Sequence, residues 1–337
     1  LPKEFARKEI IGHDAIEFVK EKTNLEWIAT LQHPNLVQIQ KTYQLGDKFN
    51  ILFPLARTNL HEYLRFRKWG APQGQLILTN PLWVQVVGIT EALSNIIDFT
   101  DPKDPNHVIF GYHLDLKPTN ILVDRSTNAS EDVFKISDFG QTQFIDSAFA
   151  GTTKVVGGGA GTDAYAPPEY YEDKQDRKYD VWSLGIIFLE ILAFAVRGSA
   201  GLRNPEGTGL DQVRETRENG KVNSRFYIGR GSRAALKPSI STWIEHLKRH
   251  PLIADSDSQR FTRSMLALIS SMLDPNMETR HSIAKVLIDL RKILNVVAPD
   301  PKEKLPEPSK NETFLVNERY AIPSSKVTQS NHNFQGK

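Results

Sequence analysis

Residues 181–196 form a 16-residue run with only two polar side chains, Ser183 and Glu190. A membrane-spanning helix needs about 20 predominantly apolar residues, so this run is too short and too polar for one. It reads as a buried helix. A buried helix needs a large core around it, and 337 residues supply that core, as two domains or one domain with two lobes.

The rest of the chain divides by character. Residues 5–10 are strand-like. Residues 14–31 read as a helix, with Ile16, Val19, Leu25, Ile28 and Leu31 near helical spacing. His33-Pro34-Asn35 stops it, because a residue before proline avoids helical geometry. Residues 36–45 and 48–55 are strand-like, with Gly46-Asp47 as the turn between them. Beyond residue 55 the pattern is mostly helical: 60–67, 81–99, 180–195, 240–250, 261–273 and 283–294. Two short strands, 121–123 and 133–136, interrupt it. Residues 197–231 are polar and charged and predict a mobile surface loop. Residues 297–337, rich in Pro, Lys, Glu, Ser and Asn, predict a disordered tail.

Composition excludes several functions. Lys and Arg total 42 against 40 Asp and Glu, too balanced for nucleic-acid backbone binding to be the expected purpose. The absence of cysteine rules out a disulfide scaffold, Cys-ligated zinc or iron–sulfur, and a cysteine nucleophile. Lys3, Glu4, Arg7, Lys8 and Glu9 leave no apolar signal core near the start, and the expected location is cytoplasmic or nuclear.

The chemistry is concentrated in four motifs. His113-Leu114-Asp115-Leu116-Lys117-Pro118-Thr119-Asn120 comes first, and Asp138-Phe139-Gly140 follows the two short strands. Then come Thr162, Tyr165 and Pro167-Pro168-Glu169, and finally Asp180-Val181-Trp182-Ser183-Leu184-Gly185. Phosphoryl transfer needs held phosphates, metal ions to offset charge, and a carboxylate near the attacking hydroxyl. Asn120 and Asp138 are hard oxygen ligands suited to Mg²⁺. Asp115, five residues before Asn120, can face the same pocket.

In this order and spacing the motifs resemble those of the eukaryotic serine/threonine protein kinases, over residues 5–294. The resemblance implies an α+β fold with two lobes. The small β-rich lobe and hinge would occupy 1–55 and the large helical lobe 56–296. It implies ATP and Mg²⁺ as cofactors and a protein substrate, met by a platform built from the Pro-Pro-Glu and Asp-Val-Trp-Ser-Leu-Gly motifs. Asp115 is then the base and Lys117 the contact to the transferring phosphoryl group. Asn120 and Asp138 hold metal, and Lys8 holds the α- and β-phosphates. Phe53 borders the adenine pocket, with the Pro54 carbonyl and Ala56 amide on adenine. Glu169 and Arg280 form a buried ion pair, and Asp180 accepts backbone hydrogen bonds from the catalytic loop. Ile28, Ile39, His113 and Phe139 stack between the lobes. The polar segment 197–231 is a candidate docking site for a partner.

The sequence departs from the family in three places. Only seven residues precede Lys8, too few for the family's glycine-rich loop, so either the sequence is a piece of a longer chain or the loop is lacking. Counting back from Leu31 and His33 puts Asn24 where a helix glutamate should pair with Lys8. Glu21 lies three residues earlier, roughly 60° off that face and ~4.5 Å along the axis, and Glu17 is about two turns away. Leu114 replaces the arginine that meets an activation-segment phosphate, so control by such a phosphate is not expected. The first two departures leave a second reading open: a pseudokinase acting as a nucleotide-binding scaffold. A small-molecule kinase is disfavoured by the platform motifs. Two further patterns are declined. The run 157–162 lacks the lysine of a phosphate loop, and the Asn-x-Ser/Thr sites at Asn128 and Asn311 lack a secretory signal.

Overall fold

The computed structural model describes residues 4–11, 15–66, 77–101, 104–125, 132–147, 164–171, 176–218 and 220–295. The 297–337 tail, Asn128, the 157–162 run and Thr162 lie outside them.

Residues 4–11 and 15–54 contribute one sheet and one helix. Strand β1 (Phe5–Ile11) is followed by helix α1 (Ala15–Thr30), then by β2 (Lys41–Leu45) and β3 (Lys48–Pro54). The antiparallel order is β1-β3-β2, with Lys8 opposite Ile51 and Leu45 opposite Lys48. Gly46, at φ 61°, opens the β2–β3 turn, a backbone region that costs glycine little. Helix α1 turns Phe18, Leu25 and Ile28 inward, and Phe18 stacks on Phe49 with ring centroids 4.5 Å apart. Ile16 and Val19, counted as core positions from their spacing, are 86% and 58% exposed. The expected strand 36–45 shrinks to β2, and Leu36 keeps only an isolated bridge to Ile136.

Then the chain becomes helical. Strand β4 (Thr58–Asn59) leads into α2 (Leu60–Phe66), and α3 (Leu82–Ile97) follows. Strands β5 (Asp98–Asp101) and β6 (Asp104–Tyr112) were not legible in the sequence. They form a three-stranded sheet with β9 (Gln143–Asp146), in the order β5-β6-β9. Between β6 and β9 in sequence, β7 (Ile121–Arg125) and β8 (Asp132–Ile136) join β4 in a second sheet, in the order β4-β7-β8.

Helix α4 (Tyr179–Arg197) is the expected buried helix. Contrary to the expectation of a run too short and too polar, the helix is long and apolar enough to cross a membrane, but its apolar window lies wholly inside the fold. Gly185 lets α7 (Ser256–Met272) approach it: a Cβ there would sit 2.9 Å from Met272 Cβ. The last helix is α8 (Ile283–Leu294). Ser282 and Asp255 cap α8 and α7 by accepting the amides of Lys285 and Ser258. One apolar core runs from Ile10 and Ile51 in the first sheet through α3 and α4 to Leu290 in α8.

Residues 197–231 correct the expectation of a mobile surface loop with little apolar content. Helix α5 (Leu210–Arg214), the hairpin β10 (Thr216–Glu218) and β11 (Lys221–Asn223), and β12 (Tyr227–Ile228) lie here. Strand β12 pairs with β13 (Ala235–Leu236), just before α6 (Pro238–Lys248). Leu202, Leu210 and Phe226 are fully buried and Tyr227 nearly so. Single apolar residues spaced along a polar stretch carry no periodic signal, yet each fills a hole in the helical core.

Candidate active site

Strand β6 delivers the chain to His113, Leu114 and Asp115. The Asp180 carboxylate, buried at the start of α4, accepts the His113 amide at 2.7 Å and the Leu114 amide at 2.9 Å. It pins the loop from beneath. Leu114 has φ 65°, a left-handed conformation unfavourable for leucine. Its side chain compensates by packing with Tyr112, Ile145 and Tyr179 in a small apolar cluster. An apolar side chain therefore occupies the place where the family carries its arginine.

Asp115 is then held on two sides. Lys117 Nζ lies 3.0 and 2.7 Å from its two carboxylate oxygens. Asn120 Nδ2 donates to the Asp115 carbonyl at 2.8 Å and to its carboxylate at 3.0 Å. A single 3₁₀ turn, Pro118–Asn120, sets this spacing. These bonds engage the Asn120 amide nitrogen and leave its side-chain oxygen outside them. The Asn120 carbonyl accepts both the amide and the hydroxyl of Ser137, at 2.8 and 2.9 Å. The Asp115 loop is thereby tied to the residue before Asp138.

Lys8 Nζ bridges Glu21 at 2.8 Å and Asp138 at 3.0 Å. This corrects the expectation that Asn24 takes the glutamate's place. Asn24 Nδ2 instead donates to the carbonyls of Phe139 and Thr142, both at 2.9 Å. A 60° and ~4.5 Å offset along a helix is within reach of two long, flexible side chains, and here the lysine and glutamate meet. Burial acts to lower the Lys8 pKa, but the two carboxylates outweigh it and raise it. Burial raises the Glu21 pKa against the pull of Lys8. Burial also acts to raise Asp138, but Lys8, His113 and Lys117 bring it below the ordinary range. Asp138 is thus an ionised oxygen donor set among three basic side chains, at φ 64°.

Phe53 and Pro54 end β3, opposite Ala6 and Phe5. Phe53 is buried, and Pro54 and Ala56 are half-buried on the connection to α2. The Leu55 amide is engaged by the Glu4 carbonyl at 3.1 Å. Ile28, His113 and Phe139 are fully buried, with His113 edge-on to Phe139 at 5.3 Å, and Ile39 packs against the same core. The expected Glu169–Arg280 pair is present and buried, bonded at 2.5 and 2.9 Å.

Sequence reasoning missed the Asn24 bonds, the Ser137 link, and a buried cluster of Tyr165, Glu190, Arg65 and Arg214. Glu190 was visible as the single carboxylate in the apolar run 181–196, and a charge in such a place needs partners.

Comparison with known proteins agrees with this geometry. Residues 2–289 match the protein kinase domain family. A probable LRR receptor-like serine/threonine-protein kinase of Arabidopsis thaliana is 25% identical over 86% of this chain and 28% of its own length. Cysteine-rich receptor-like protein kinase 14 of the same plant is 30% identical over 51% of this chain and 24% of its own. Serine/threonine-protein kinase BRI1-like 2, also from that plant, is 29% identical over 52% of this chain and 14% of its own. The chain spans less than a third of the length of each of these relatives. With the family match covering most of its residues and the motif side chains converging around Asp115 and Asp138, the chain belongs to the protein kinase domain family.

Proposed function

We propose that this domain transfers the γ-phosphate of ATP to serine or threonine hydroxyls of a protein substrate. The observation that carries the reading is the convergence of Lys8, Glu21 and Asp138 on one side with Asp115, Lys117 and Asn120 on the other, joined through Ser137. The pseudokinase alternative drew on the glycine-rich loop and on a missing glutamate, and Glu21 at 2.8 Å from Lys8 supplies the second of these.

Asp115 accepts the proton of the substrate hydroxyl and orients it; Asn120 and Lys117 hold its carboxylate in place. Lys117 also presents positive charge to the phosphoryl group in transit. Lys8, fixed by Glu21, binds the α- and β-phosphates. Phe53 walls the adenine pocket, and the Pro54 carbonyl and Ala56 amide meet the base. Proline is compatible there because its carbonyl is the group used. The side-chain oxygens of Asn120 and Asp138 fit Mg²⁺. They are two hard donors, and among the described residues there is no cluster of three or more His, Cys, Asp or Glu that would form an all-protein cage. When bound, Mg²⁺ offsets phosphate charge. A domain that uses ATP and Mg²⁺ suits an intracellular compartment, cytoplasmic or nuclear, and 197–231 is the candidate docking segment for a partner.

The test is phosphate transfer from labelled ATP to Ser/Thr peptides, with isothermal calorimetry of ATP and Mg²⁺. We expect nucleotide binding that Asp138→Ala abolishes. Absence of both heat and thermal shift at millimolar ATP would overturn the reading.

A further inference from the structure

The Tyr165 cluster takes no part in the mechanism above, yet it joins four polar side chains from different parts of the fold. Glu190, fully buried in α4, accepts the Tyr165 hydroxyl at 2.8 Å. Two guanidiniums flank it: Arg65 at 3.2 Å from α2 and Arg214 at 3.4 Å from the end of α5. Arg65 is also held by Asp211, through two bonds of 2.7 Å.

Arg214 reaches further than Arg65. Its Nη2 donates to the Ala164 carbonyl at 2.8 Å, and its Nε to the Ser224 carbonyl at 2.8 Å. Its guanidinium lies 5.1 Å from the Tyr165 ring centre and 4.7 Å from that of Phe226. Its own carbonyl accepts Lys237 Nζ at 2.6 Å, and that buried lysine also holds Asn223 and Thr216. One side chain therefore ties the 214–224 segment to Ala164 and Tyr165. Those residues run directly into Pro167, Pro168 and Glu169, where Arg280 anchors the other end.

We propose that Arg214 is a positioning residue for the protein substrate, holding residues 164–168 in the shape that an acceptor peptide meets. The segment expected to be a separate surface loop is then part of the substrate platform. The proposal rests on the kinase reading. Arginine suits the task because its planar fork donates in several fixed directions at once; lysine keeps the charge but offers one compact ammonium. Arg214 acts through Ala164 and Tyr165.

The experiment measures KM for peptide and for ATP separately in wild type, Arg214→Lys and Tyr165→Phe, with melting temperature alongside. We expect Arg214→Lys to raise peptide KM about tenfold or more while ATP KM stays within about twofold. Tyr165→Phe, which removes one bond to Glu190, should shift peptide KM less and in the same direction. An unchanged peptide KM in Arg214→Lys, or an equal rise in both KM values, overturns the proposal. If Arg214→Lys does not fold, the peptide KM of Tyr165→Phe decides in the same way. If the wild type binds ATP but phosphorylates no peptide, the kinase reading fails separately. Hydrogen exchange then decides: faster exchange at 164–171 in Arg214→Lys, with 50–56 unchanged, supports the positioning role, and no change at 164–171 overturns it.

Discussion

The Asp115 loop and the Lys8 cluster meet at Asp138, but they are built differently. Asp115, Lys117 and Asn120 lie within six residues of chain, and one short turn sets their geometry. Lys8, Glu21 and Asp138 are drawn together across 13 and 130 residues by a strand, a helix and a distant loop. A local constellation is fixed by spacing, which a sequence displays. A non-local one depends on where a helix stops along its axis, and there a count of residues failed by nearly one turn.

The sharpest way to break this contrast is Asp115→Asn. If the local loop carries the chemistry alone, turnover should fall by about 10²-fold or more, with ATP affinity and metal dependence intact. Single-turnover phosphate transfer against calorimetry measures both. Unchanged turnover would remove Asp115 from its assigned role.

Leu114→Arg comes next. The substitution forces a guanidinium among Tyr112, Ile145 and Tyr179, at a cost of about 3 kcal/mol of stability. Chemical denaturation measures it. A stability loss under 1 kcal/mol would mean that the cluster tolerates charge and that the arginine position is interchangeable after all.

Asn24 and Glu21 test the non-local half directly. Asn24→Ala removes the side-chain donor to the Thr142 carbonyl and leaves the Phe139 carbonyl with the Thr142 amide, and should cost about 2 kcal/mol of folding stability. Glu21→Gln should weaken ATP binding more than it changes stability. The opposite pattern, with Asn24→Ala hurting ATP affinity and sparing the fold, would restore Asn24 as the lysine's partner.

The smallest effect concerns His107, on β6, which meets Asp146 on β9 at 2.7 Å and Asp101 on β5 at 3.6 Å. The hydrogen bond and charge of Asp146, then those of Asp101, raise its pKa above the ordinary 6.5. A histidine raised on folding stabilises fully below its unfolded value. That contribution fades as pH rises through the folded value. Stability of the wild type should therefore decline slightly above pH 6.5, and His107→Gln should flatten the curve. Parallel curves for the two proteins would exclude the clasp.

What was legible followed the same division. Helices α4, α6, α7 and α8 could be read from periodicity and the Asp115 and Asp138 motifs from short-range spacing, whereas the Glu169–Arg280 pair, 111 residues apart, followed only from the family resemblance. The sheet of β5, β6 and β9 could not. Strand β6 pairs with β9 across 30 residues or more, as Phe110 does with Ile145, and only the folded chain displays that pairing. The burial of Leu202, Leu210 and Phe226 stayed hidden for a related reason: an apolar residue alone in a charged stretch has no period to announce it.

Asp180 carries one further consequence. Its carboxylate grips the two backbone amides that shape the Asp115 loop, and it does so from the first turn of the most deeply buried helix in the described structure. The loop cannot melt by itself without stranding that carboxylate in the interior, where an unpaired charge is expensive. Loop and helix should thus behave as one cooperative block. On heating, catalytic competence should persist until the whole domain gives way and then vanish in a single transition.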